Sequence, residues 1–371
     1  MKLTLVAGAR PNFMKIAPVI DAIHIAQRNG YNIDYRLVHT GQHYDKNMSG
    51  SFFEELNIPE PHINLESGGG TQAEQTANIM VRFEKDLIEN PGDLVIVVGD
   101  VTSTLACSIV AKKLCVDVAH IEGGIRSGDM TMPEEINRIV TDSITDLFFT
   151  TSEIANQNLK KAGVCSSKIH FVGNTMIDTL LKNLSKLEKP FFWDELRLEP
   201  KRYFILTLHR PSNVDDPVQL KRLITTIIEA ARDYPILFPV HPRTGKQLNL
   251  LKISSKNLHI VDPLSYLKFN YLVKNSMGVI TDSGGITEET TVMQIPCITL
   301  RDSTERPETI TIGTNELIGN DLSLIPLCIN KISNNDWKKG SIPELWDGHT
   351  AERIINILLE KYTPAYKSFE K

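Results

Sequence analysis

Short apolar, β-branched runs alternate along this chain with stretches whose apolar residues recur at helical spacing, and that alternation predicts parallel α/β architecture. In the first half the strand-like runs are KLTLVAG, DYRLVHT, DLVIVVGD, VDVAHIE, DLFFTTS and KIHFVGN. PVIDAIHIAQRNG and TSTLACSIVAKKL carry the helical pattern between them. A helix-like stretch follows Gly173 and Asn174; then the pattern lapses from Lys182 to Arg202, rich in Lys, Glu and Pro, which reads as a linker. A second series follows in YFILTLHR, ILFPVHP, LHIVDP, MGVITDSGG and IPCITLR. Two such series predict two Rossmann-like domains facing across a cleft, residues 1–173 and 174–352. Ligands of such sheets sit outside the carboxyl ends of the strands. Gly8 to Arg10, Asp100, Glu122, His209, His241, Ser283 and Arg301 all end apolar runs there.

A chain of 371 residues is longer than one hydrophobic core usually serves, in keeping with two domains. No apolar run reaches membrane-spanning length, because DLVIVVGD is interrupted by Gly99 and Asp100. The start, MKLTLVAGARPN, reads as a first strand and not as a signal peptide. Cys107, Cys115, Cys165, Cys297 and Cys328 form no CxxC pair or Cys/His cluster. They read as reduced thiols of a cytoplasmic protein, with no metal site. A formal charge of −5 argues against a nucleic-acid partner. An anionic ligand must then be held by a local basic cluster.

The densest chemistry lies in HIEGGIRSGDMTMPEEINRIVTD, His120 to Asp142. Glu122, Asp129, Glu134 and Glu135 stand there among glycines and two arginines. Pro133-Glu134-Glu135 fits a helix start, where a glutamate commonly compensates the helix dipole. That accounts for one acid better than for four. Converging beside a diphosphate, such acids are expected to raise one another's pKa values and to exchange protons near neutrality. Asp100, with Thr102 and Ser103 after it, would by itself be judged a helix cap. LVAGARPNFMK has one glycine where a dinucleotide fingerprint needs three, which disfavours a nicotinamide cofactor, while Arg10 and Lys15 suit an anion near a helix start.

In the second half His209, followed by Arg210 and Pro211, could polarise phosphate oxygens, although a lone histidine is usually structural. VHPRT, with His241 and Arg243, offers a weaker version. TDSGGITEE is the strongest anion motif. Ser283, Gly284 and Gly285 would let backbone N–H groups approach a phosphate, against the plainer reading of a serine-capped helix. Glu289 could accept from ribose hydroxyls, Arg301 and Arg306 follow in RDSTERPET, and Phe269 could stack on a base, although such a residue is more often core.

Taken in order, GARPNFMKIAPV, TGQHYD, VGDVTSTLA, HIEGGIRSGD, MPEEINR, VGNTMID, LHRPSN, PVHPR and TDSGGITEE…RDSTERPE resemble the non-hydrolysing UDP-N-acetylglucosamine 2-epimerases over nearly the full chain. The resemblance implies two domains of the glycosyltransferase-B type and a C-terminal helix, 353–371, packing back on the first domain. It implies a cytoplasmic homodimer with UDP held mainly by the second domain and no cofactor. Carried over by position, the catalytic groups are Asp100, Glu122, Glu134 and His209. The substrate contacts are Arg10, Lys15, Phe269, Ser283, Gly284, Gly285, Glu289 and Arg306, with Leu264 offering the base only its backbone. The familiar EAGLR is EGGIR here, with the change at Gly123. Allosteric members carry an arginine after QH and a later Asp-Gln pair; Tyr44, Met48 and Ser49 stand at those places, so substrate activation is not carried over.

The implied reaction is reversible inversion at C2 of UDP-N-acetylglucosamine, giving UDP-N-acetylmannosamine through loss and re-addition of UDP. QHYDKNMS and MPEEINR also resemble epimerases of UDP-2,3-diacetamido-glucuronate. A hydrolysing epimerase, a glycosyltransferase of the same fold and a sugar-nucleotide sensor are the remaining alternatives. Supply of cell-envelope polysaccharide is the expected setting.

Overall fold

In a computed structural model, which describes residues 1–41, 53–240, 245, 248, 251 and 253–362, the chain forms two compact units. One comprises residues 1–182 and 344–371, the other 183–343. The first is built on a seven-stranded parallel sheet, β1 (Lys2–Ala7), β2 (Asp34–His39), β3 (Ile63–Asn64), β4 (Leu94–Val98), β5 (Asp117–Ile121), β6 (Leu147–Thr150) and β7 (Ile169–Phe171), in the order β3-β2-β1-β4-β5-β6-β7. The second has six parallel strands, β8 (Phe204–Thr207), β9 (Ile236–Pro239), β10 (Leu258–Val261), β11 (Gly278–Thr281), β12 (Cys297–Thr299) and β13 (Asn315–Leu317), ordered β10-β9-β8-β11-β12-β13. Both are doubly wound Rossmann-like sheets. Their strand order reverses between β1 and β4 and between β8 and β11, where such folds place ligands.

Local sequence accounts for the strands. LVIVV of β4 is buried at all five positions, as a strand covered by helices on both faces must be. The short edge strands β3 and β13 carry no apolar run of their own and were not legible in the pattern. Each exists because a neighbour offers ladder bonds, β2 to Ile63 and Asn64 and β12 to Asn315 to Leu317.

Two boundaries differ from the sequence reading. The helix Thr175–Asn183 falls almost wholly in the first unit, so the division comes after Lys182 and not at Gly173-Asn174. Thr179 Oγ1 donates to the Met14 carbonyl at 2.6 Å, and the Asp178 carboxylate accepts the N–H groups of Thr350 and Ala351 at 3.2 and 2.7 Å. Those last bonds anchor the start of the helix Thr350–Tyr362 in this unit. The stretch read as a linker is not bare either. Phe192 and Trp193 are buried in the second unit's core, with Trp193 edge-on to Tyr203 and Tyr271 at 5.6 and 5.4 Å.

Gly173 is where the returning segment meets the first unit. Its φ is +105°, and a Cβ there would lie 2.1 Å from the Leu345 carbonyl oxygen. Gly173→Ala combines a left-handed backbone with a clash against main chain. It should destabilise the first unit by on the order of 3 kcal/mol, read by chemical denaturation. A loss below about 0.5 kcal/mol would refute this packing, being what an ordinary surface substitution costs.

Candidate active site

The carboxyl ends of β1 and β4 are tied together by Asn12, which sequence reasoning passed over. Its Oδ1 accepts from the N–H groups of Gly8 and Ala9 at 3.2 and 3.0 Å, and its Nδ2 donates to the Val98 carbonyl at 3.1 Å. This clamps the turn into the helix Arg10–Arg28 against the end of β4. Arg10 opens that helix and is exposed. Lys15 lies one turn further, and its ammonium pairs with Glu122 Oε2 at 2.7 Å. The lysine expected on an anion is thus placed on a carboxylate.

Glu122, directly after β5, is 4% exposed and has φ +74°, a left-handed conformation that non-glycine residues seldom adopt. Such strain, of order 1–3 kcal/mol, persists where surrounding structure over-determines it and clusters at functional sites. Glu122 Oε2 would lie 3.7 Å from a Cβ placed on Gly99, so this acid stands beside the residue preceding Asp100.

Asp100 does not cap the following helix, whose N-cap is Val101. Its carboxylate pairs instead with Arg138, and its carbonyl accepts from Asn137 Nδ2 at 2.8 Å. Arg138, 4% exposed at its side chain, also reaches Glu135 Oε2 at 2.7 Å. Both partners come from the helix Pro133–Ile144, which starts at Pro133 as its sequence predicts and carries Glu134, half-buried, in its first turn. The i,i+3 spacing of Glu135 and Arg138 in PEEINR was the available signal for this pair.

The expectation that the clustered acids raise one another's pKa is corrected for Glu135. Burial pushes its carboxyl upward, but hydrogen bonds from the Ser127 and Gly128 backbone, the Ser127 hydroxyl and Arg138 outweigh it and hold the group below its ordinary value. Glu122 and Asp100 also each face a cation.

In the second unit His209 and the start of the helix Gly284–Val292 are joined by Asp282, again unmarked in the sequence reading. This buried carboxylate accepts from the backbone of His209 and Arg210 at 3.1 and 3.0 Å and from Asn213 Nδ2 at 3.0 Å. It also faces His209 Nδ1 at 2.7 Å. Burial would raise the Asp282 pKa, yet His209, Asn213 and the backbone donors lower it. The imidazole is 62% exposed, with Nδ1 held inward. An ionised Asp282 thereby directs Nε2 outward, poised to donate to an anion when protonated.

Ser283 is the N-cap of its helix, but its hydroxyl makes no capping bond, which sets aside the plain serine-cap reading. Gly284 lies close against an ion pair. A Cβ there would lie 2.6 Å from Glu305 Oε1 and 3.4 Å from Arg301. Arg301 binds Glu305 through both terminal nitrogens, at 3.2 and 2.5 Å, and Arg306 Nε contacts Glu288 Oε1 at 2.5 Å. Burial acts upward on Glu305, but Arg301 and Arg306 bring it down to about 2, so it stays ionised. Glu289 is different: burial raises it to about 7, against hydrogen bonds from Tyr266 Oη at 2.8 Å and Asn270. Phe269 is half-buried against the core cluster that contains Trp193 and Tyr203. His241, Arg243, Tyr44, Met48 and Ser49 lie outside the described residues.

Comparison with known proteins adds lineage to this geometry. Residues 25–359 match the family described as UDP-N-acetylglucosamine 2-epimerase. The UDP-N-acetylglucosamine 2-epimerase of Methanocaldococcus jannaschii is 42% identical over 373 residues, covering 96% of this chain and 99% of that protein. The UDP-2,3-diacetamido-2,3-dideoxy-D-glucuronate 2-epimerase of Pseudomonas aeruginosa is 41% identical over 327 residues, covering 86% and 88%. A crystal structure of the M. jannaschii UDP-GlcNAc 2-epimerase in complex with UDP-GlcNAc and UDP aligns with TM-score 0.85 at 42% identity, covering 97% of this chain and 100% of that one. With two Rossmann-like units, a carboxylate-rich strand end and identity extending across nearly its whole length, the chain belongs to the UDP-N-acetylglucosamine 2-epimerase family.

Proposed function

We propose that this protein reversibly inverts C2 of UDP-N-acetylglucosamine to give UDP-N-acetylmannosamine, by elimination and re-addition of UDP. The observation that carries this reading is the pair of acids, Asp100 and Glu122, brought to the ends of adjacent strands β4 and β5 and each held against a cation. The C2 hydrogen is not adjacent to a carbonyl, so its removal needs a leaving group. One carboxylate takes the C2 proton as the C1–oxygen bond to UDP breaks, and the electron pair forms the C1=C2 double bond of 2-acetamidoglucal. On return UDP bonds to C1, and a second acid delivers a proton to the other face of C2. Asp100, Glu122 and Glu134 supply these two roles.

The leaving diphosphate carries the negative charge that develops, which calls for hydrogen-bond donors aimed at it. Backbone N–H groups at Ser283 to Gly285, the His209 imidazole and Arg306 are the donors we assign, because preorganised donors stabilise developing charge without reorganisation. Arg10 is a further substrate contact, Lys15 supports Glu122, and Glu289 and Phe269 hold the nucleoside. A second reading keeps the reaction and changes the sugar to UDP-2,3-diacetamido-glucuronate, favoured by the 41% identity to the Pseudomonas enzyme. The proposal includes a cytoplasmic homodimer feeding cell-envelope polysaccharide synthesis. Among the described residues no helix is long and apolar enough to cross a membrane.

Incubation with each UDP-sugar in D₂O, followed by NMR, tests chemistry and substrate together. The expected result is epimer carrying deuterium at C2. Epimer with hydrogen retained at C2 would refute the elimination, and free N-acetylmannosamine would identify a hydrolysing enzyme.

A further inference from the structure

Behind the two acids lies a buried pair that the reaction does not use, His120 and Asp142, with side chains 1% and 4% exposed. His120 stands in β5 between β4 and β6, and Asp142 in the helix Pro133–Ile144. The imidazole Nδ1 is 2.7 Å from Asp142 Oδ1, and Nε2 is 2.8 Å from the Gly99 carbonyl oxygen. A carbonyl oxygen can only accept. Asp142 Oδ2 already accepts from the Gly124 N–H at 3.0 Å and from Arg126 at 2.6 Å. The Arg126 guanidinium and the Gly124 N–H, both independent of the imidazole, favour the ionised form of this carboxylate. An ionised carboxylate has no hydrogen to give. Both ring nitrogens of His120 therefore face acceptors, and neither neutral tautomer satisfies both contacts.

We propose that His120 is a buried imidazolium, donating from both nitrogens, that positions Asp100 and Glu122 for proton transfer. Through Nε2 it holds the peptide directly before Asp100. Through its own backbone it leads, two residues on, to Glu122. Through Asp142 it ties both to the helix that supplies Arg138. The charged groups facing the pair are Arg126 on Asp142 and, on the site side, Glu122 with Lys15 and Asp100 with Arg138. Counting His120, Asp142 and Arg126 alone leaves one net positive charge behind the two acids. The positioning role rests on the epimerase reading; the double-donor state does not.

The full-length protein labelled with ¹⁵N-histidine is examined by NMR at about pH 7.5, roughly one unit above the ordinary histidine value. His120, assigned by the signals lost in His120→Gln, should show two ring nitrogens each bearing a hydrogen. A ring nitrogen without one overturns the proposal, whatever the enzyme's substrate. Should that variant fail to fold, through-bond correlation in the unsubstituted protein gives the same assignment. For the positioning role, His120→Gln should lower kcat about 100-fold, as misplacement of reacting groups by an ångström does. KM and UDP affinity should stay within about threefold of the unsubstituted protein. Equal losses in kcat and UDP affinity, or unchanged kcat, would overturn that role.

Discussion

Glu122→Gln should lower kcat about 10³-fold while leaving UDP affinity within about twofold. Proton transfer by a positioned side chain is commonly worth 10²–10⁴ in rate, and glutamine keeps the shape of glutamate while losing its basicity. Two structural facts make this the sharpest of the catalytic substitutions. Glu122 is held at φ +74° by the end of β5, so its placement does not depend on the carboxylate charge alone. Its Oε2 pairs with Lys15 in the first unit, whereas the groups assigned to UDP lie largely in the second. Steady-state kinetics with calorimetric UDP titration separates the two quantities. If both fell together, Glu122 would be a structural anchor for Lys15 and the proposed chemistry would need another base.

Arg138→Met should reduce stability by about 3–5 kcal/mol at neutral pH, because removing one partner from a buried ion pair strands the other. The group that loses its cation is Glu135, 2% exposed, which keeps only its Ser127 and Gly128 donors. A loss of this size should lower the melting temperature by about 10 °C. The pH dependence follows from the lowered pKa of Glu135. A carboxylate depressed in the folded state contributes stability above its unfolded value, ordinarily 4.5, and loses it as pH falls through the lower folded value. The deficit of the variant should therefore be large at neutral pH and shrink on acidification below about 4.5. Adding Glu135→Gln should restore part of the loss at neutral pH. A pH-independent deficit with no rescue would mean that Arg138 acts through packing alone. Activity should fall as well, since Asp100 loses the same guanidinium.

Much of this was legible in order and composition. Continuous apolar runs such as LVIVV mark strands buried on both faces, and their alternation with helical spacing gives two doubly wound sheets. The motifs at strand ends are legible for the same reason, since a residue that ends an apolar run in such a fold lies on the ligand side. The residues that sequence reading passed over share one character. Asn12, Arg138, Asp282 and His120 act on groups distant along the chain: Val98, Asp100, His209 and Gly99. Periodicity carries no information about such pairs.

Two lessons concern charge. Four clustered acids suggested mutual repulsion, and Glu135 instead sits below its ordinary pKa because four donors converge on it. In TDSGGITEE the two adjacent glutamates meet different surroundings. Glu288 is paired with Arg306, while Glu289 is pushed up to about 7 beneath Tyr266. Neighbours on one helix point to different surroundings, and burial with or without a cation decides the outcome.

The amino-acid order by itself determined the architecture, the strand ends that carry the motifs and the family, because each is written in local patterns of apolar residues, glycines and acids. Only the tertiary structure decided which cation neutralises which acid, which histidine is buried between two acceptors, and where the first unit ends. Those outcomes depend on distances across the sheet and on exclusion of water, and both come into being only when segments far apart in the chain are packed together.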